Sequence, residues 1–276
     1  MMKINGNKRR ANKNKIYYFF YFALFGSFII WPGSSASAQE SYLITHEDSL
    51  ALENVIVERY YDSDSTDYTD TTGNALPHGS VTYRLFIDMK PNYSLQVVYG
   101  VPNHELFLKT STIFFNDKVC SAETGFNIDA KKLHIGNVAL DSWITMGAAS
   151  RLHTGILRAE DNDGFSFITN KPMLSKSDGL TKSAFPDFKI FNLDLGFFNN
   201  DSTASCFSTF DAAWAALGGI KGPTVENRVL IAQLTTNGNL TYELNVQIGT
   251  PSGGYIQFVA RNPKGSEIQF AGLTNN

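Results

Sequence analysis

The chain has 276 residues, with 23 Lys and Arg against 26 Asp and Glu, two cysteines, and an aromatic fraction of 13% that includes 21 Phe and 12 Tyr. Charged residues make up 18% and hydrophobic residues 43%. This excludes intrinsic disorder and a disulfide-dense miniprotein and leaves ample apolar material for a core.

Residues 1–15 carry Lys3, Lys8, Arg9, Arg10, Lys13 and Lys15 and no acid. An apolar and aromatic run follows over 16–31, then Pro32-Gly33 and a small-residue stretch ending Ala36-Ser37-Ala38. Basic head, short apolar run and small-residue end are the three parts of a secretory signal peptide, so residues 1–38 are expected to be removed. The apolar run is short of the ~20 residues that span a bilayer. No cysteine adjoins the cleavage point to take a lipid. Losing those six basic residues leaves 17 basic against 26 acidic residues, a formal charge of −9. A chain this acidic, with no basic run, is not expected to bind nucleic acid or an anionic membrane surface. No later stretch is long and apolar enough to span a membrane. The expectation is a secreted or periplasmic protein.

The remainder, residues 39–276, reads as β throughout. Strand-like runs occur at 52–60, 81–88, 95–101, 106–115, 156–158, 188–195, 227–234, 240–248 and 255–260, separated by Gly, Pro, Asn and Asp clusters. Within 240–248, Leu240, Tyr242, Leu244, Val246 and Ile248 alternate with polar residues, the period of a half-buried strand. Asn237-Gly238 lies between this run and 227–234 and predicts a tight hairpin. Residues 209–217 fit either one short helix or a buried strand, because periodicity cannot arbitrate so short an apolar run. Without βαβ alternation the expected class is all-β: an antiparallel sandwich, jelly-roll or Ig-like, with at most one or two short helices. It is expected to form one domain or two packed sub-domains, with 169–186 the candidate boundary.

Catalytic motifs are absent: there is no G-x-S-x-G, phosphate loop, H-E-x-x-H or C-x-x-C. The five histidines fall in separate segments. Asp62, Asp64, Asp67 and Asp70 place four carboxylates in one loop. Short side chains at such spacing fit a calcium ion, which takes six to eight oxygens, or a solvated acidic loop with Ser/Thr turns. Cys120 and Cys206 are the only thiols; in an exported protein they are expected to pair, with two separate buried thiols as the alternative. Asn92, Asn200 and Asn239 head N-x-S/T sequons.

The segments 52–61, 79–84, 98–102, 139–147 and 222–233 together resemble a family of uncharacterised secreted proteins of Gram-negative gliding bacteria, members of which often carry a C-terminal sorting domain for type IX secretion. The resemblance covers most of residues 50–250. It implies a location and no catalytic residue. The chain stops soon after its last strand-like run, so no separate sorting domain is expected here.

These observations point to an exported β protein that works by binding or by structure, with a glycan or an envelope protein as partner. A secreted polysaccharide hydrolase is the alternative. Aromatic rings stack on the apolar faces of sugars, which makes Tyr60, Tyr61, Tyr99, Trp143 and Trp214 the rings to inspect. Tyr60 and Tyr61 are consecutive on a strand, so one of them is expected to face solvent.

Overall fold

The computed structural model describes residues 43–199 and 203–276; the expected signal peptide and Asn200 lie outside them. The strands, in chain order, are β1 (Leu52–Asp62), β2 (Val81–Met89), β3 (Ser94–Tyr99), β4 (Leu106–Thr110), β5 (Trp143–Ile144), β6 (Ala148–Ser150), β7 (His153–Gly155) and β8 (Leu180–Lys182), followed by β9 (Asp187–Phe191), β10 (Cys206–Thr209), β11 (Ala213–Ile220), β12 (Arg228–Thr236), β13 (Leu240–Glu243), β14 (Asn245–Gly249), β15 (Tyr255–Val259) and β16 (Ile268–Gln269). Strands account for 38% of the structure, and no helix reaches seven residues. The protein is an all-β sandwich. Among the described residues no helix is long and apolar enough to cross a membrane.

The central sheet has the order β1-β2-β12-β5, and the largest sheet runs β16-β15-β14-β3-β11-β9. All pairings are antiparallel except β15 with β16. One core lies between these two sheets. Leu85, Ile87 and Met89 of β2 and Val229 and Ile231 of β12 meet Leu95, Val98, Trp214, Val246, Ile248 and Phe258 from the larger sheet. The alternate residues of the same strands, Phe86 and Leu230, enter a second core on the other face. There the cover is not a sheet but an irregular layer, from which Phe115, Ile128, Leu133, Leu140, Ile168, Leu174 and Leu180 pack inwards. β2 and β12 are therefore covered on both faces. The stretch 169–186 is no gap in the packing, because Leu174 and Leu180 belong to this second core.

One strand-level expectation changes and one open choice is decided. Residues 227–234 and 240–248 do form strands but no hairpin. Both edges of β12 are occupied, by β2 and β5, while β13 pairs with β4 and β14 with β3 and β15. The connection is held instead by side chains: Gly238 N donates to Thr236 Oγ1 (3.0 Å) and Asn239 N to Ser111 Oγ (2.9 Å). Neither Asn237 nor Gly238 adopts the positive φ that a tight hairpin turn requires. The open choice at 209–217 falls to strand: Ala213–Ile220 is β11, hydrogen-bonded to β3 on one side and β9 on the other.

Candidate functional site

A groove of about 770 Å³ opens at the edge of the irregular layer, lined by Asp129, Ala130, Lys131, Arg151, Leu152, His153, Phe167, Lys182 and Ser183. Separate chain segments build it, each held by an identifiable contact. Asp129 caps a 3-10 turn (Ala130–Lys132), its carboxylate accepting Lys131 N at 3.0 Å, which fixes where the lysine leaves the backbone. Arg151 and Leu152 form the two-residue connection of the β6–β7 hairpin, and Arg151 N donates to Ile128 O (2.8 Å), tying that tip to the same segment. Lys182 of β8 sits directly opposite His153 of β7, so their side chains share a sheet face. Phe167 is pinned from behind, its N–H donating to Asp178 Oδ2 at 2.7 Å while Leu180 N donates to Asp178 Oδ1 at 3.1 Å.

The floor is aromatic. The His153 ring packs edge-on against Phe167 at 4.8 Å, and Phe167 against the exposed Phe165 at 4.9 Å. Ser150 Oγ lies 2.8 Å from His153 Nδ1 across the hairpin turn. Burial pushes the His153 imidazole below its ordinary pKa, with Lys182 acting in the same direction and Asp178 opposing. Leu152 adds an apolar side chain 68% exposed at the rim.

Charge is the distinguishing feature. Lys131, Arg151 and Lys182 converge against a single lining carboxylate, Asp129, in a chain whose formal charge is −3. None of the three has an ion-pair partner among the described residues, which is also true of Lys90, Lys109, Lys118 and Lys176; what sets the groove cations apart is that they line one concavity. Cations left unpaired around a concave, partly apolar surface are equipped to receive an anion.

The residues singled out from the sequence lie elsewhere. The four loop aspartates have separate tasks. Asp62 pairs with Arg59 at 2.5 Å on the surface. Asp64 caps a short helix, α1 (Ser65–Thr69), accepting Thr66 N at 2.8 Å and its hydroxyl at 2.6 Å, and those bonds lower its pKa. Asp70 accepts Thr72 N at 2.7 Å in a local turn. Asp67 is fully buried, and the cation that reaches it is the Lys171 ammonium; it also accepts Asp64 N (2.9 Å) and the Tyr61 hydroxyl (3.0 Å). Among the described residues no three His, Cys, Asp or Glu side chains are grouped to hold a metal.

Tyr60 and Tyr61 are both buried, against the expectation that one faces solvent. The reason is a β-bulge. Arg59 pairs with Tyr83 and Tyr61 with Thr82, so Tyr60 is an extra residue and both rings turn to the second core. Tyr60 donates its hydroxyl to Asp178 O (2.8 Å) and carries the Arg84 guanidinium 3.6 Å above its ring. Tyr99 is buried with Val97, Ala213 and Ala215 on the outer face of the largest sheet. Trp143 lies inside the second core and Trp214 inside the first. None of the five rings offers a contact surface.

The two cysteines do not pair. Both are free thiols and not at disulfide distance: Cys206 is exposed at the start of β10, while Cys120 packs against the second core. Asp117 Oδ1 accepts Val119 N (2.7 Å) and Cys120 N (3.2 Å), which holds Cys120 in its own turn, and burial pushes its thiol up to about 11. With a thiol reagent at pH 8, Cys206 should react in the native protein and Cys120 only after unfolding. Native protein with no titratable thiol would contradict this.

No family model matches the chain, and neither a curated protein nor a solved structure matches it.

Proposed function

We propose that this is an exported binding protein of the cell envelope or extracellular space, and that the groove at Lys131, Arg151, Phe167 and Lys182 is its glycan site. The observation that supports this reading is the coincidence, in one concavity, of unpaired cations and an apolar floor. An apolar surface takes the hydrophobic face of a sugar ring, and hydrogen-bond donors around it take the oxygens. The hydrolase alternative needs two carboxylates facing each other across the bond to be cleaved. The groove lining supplies one, Asp129, already engaged with Lys131 N.

The test is retention on immobilised envelope polysaccharide, comparing the protein with a doubly charge-reversed form, Arg151→Glu with Lys182→Glu. Both positions are exposed, so folding should persist. Retention by the first and loss in the second is the expected result. Equal retention would move binding away from the groove, and released sugar products would hand the case to the hydrolase.

A further inference from the structure

Taking the groove as a glycan site, we infer that its occupant is a short acidic oligosaccharide, a few sugars bearing carboxylates. Three features carry this. Lys131, Arg151 and Lys182 come from three separate segments and surround one space, so the set matches more than one anionic group. Arg151 presents a planar fork suited to a carboxylate, and the two lysines present rotatable ammonium groups that serve anions at less constrained positions. Between them Leu152, Ala130 and Phe167 are apolar, which suits a ring with a hydrophobic face rather than a bare inorganic ion.

Shortness follows from the size of the cation set. The lining offers three cations, and charges beyond about 8 Å are largely screened at physiological salt. The further charges of a long polyanion would therefore gain nothing from the groove. A short acid matches the set. The volume, about 770 Å³, lies within the usual range for small-molecule sites.

The experiment is calorimetric titration of the full exported protein with a galacturonic acid trimer, the matching neutral galactose trimer, and long polygalacturonate. The acidic trimer should bind at least about tenfold more tightly than the neutral one, and added salt should weaken it. Arg151→Gln and Lys182→Gln should each weaken the acidic trimer by about tenfold, the effect of losing one charge-assisted hydrogen bond, with melting temperature unchanged. Equal binding of both trimers would overturn the acidic assignment and leave the glycan groove standing. Acidic binding indifferent to both substitutions, or polymer binding many-fold tighter than trimer when expressed per three-sugar unit, would overturn the assignment as well. No binding of any of the three would remove both readings.

Discussion

Replacing Lys171 with Met should destabilise the protein by about 3–5 kcal/mol, the cost of removing one member of a buried ion pair. The ammonium and the Asp67 carboxylate are both out of water, at 3% and 0% side-chain exposure. Lys171 also donates to Asn137 Oδ1 at 2.7 Å, and Asn137 Nδ2 donates to Asp67 O (3.0 Å) and Asn74 O (3.1 Å). One cation therefore anchors the acidic loop to the irregular layer. Without it Asp67 keeps two neutral donors, Tyr61 OH and Asp64 N, which do not compensate a buried charge. In urea unfolding the midpoint should fall, and the melting temperature should drop on the order of 10 °C for a domain this size. Adding Asp67→Asn to the Lys171→Met protein should recover part of the loss, since the uncompensated charge goes. A Lys171→Met effect below about 1 kcal/mol would mean that water reaches the carboxylate.

Trp143→Ala should be of comparable size, about 3–5 kcal/mol, because it removes the largest side chain of the second core and leaves a cavity there. Trp143 is 1% exposed, on the short edge strand β5 opposite Gln233 of β12. Among the described residues its indole Nε1 has no hydrogen-bond partner. Trp143→Phe therefore removes a donor that nothing accepts and should cost much less than the alanine change. Glycan retention by the Trp143→Phe protein should match that of the parent. Reduced retention with an unchanged melting curve would return Trp143 to the binding surface.

The fold class was readable from the chain because its signal is local. In β2, Tyr83, Leu85, Ile87 and Met89 face one core while Phe86 faces the other, and Gly, Asn and Pro punctuate the strand ends. What local reading missed was set by distant neighbours. Asn237-Gly238 carries a hairpin signature, yet β12 already has a partner on each edge. Tyr60 and Tyr61 would point to opposite faces on a regular strand, and only pairing with β2 shows the extra residue. The four aspartates looked alike in sequence, but Asp67 alone points inwards to a lysine 104 residues away. The groove gave no signal of its own. Residues 129–131, 151–153, 167 and 182–183 share no motif, and in sequence Lys131, Arg151 and Lys182 are scattered cations on an acidic chain. Convergence belongs to the tertiary structure.

The doubly paired β12 bears on the order in which the molecule can assemble. β2 meets β1 early in the chain, but its other edge waits for β12, with Arg84 bonded to Gln233 across 149 residues. β3 waits likewise for β11 and β14, and β4 for β10 and β13. Loop closure of that length makes such pairing slow. Neither large sheet can be completed on a ribosome until most of the chain has emerged. A polypeptide that stays open while being made suits a translocation channel that admits only unfolded chains, so the topology that delays native structure is compatible with the export proposed above.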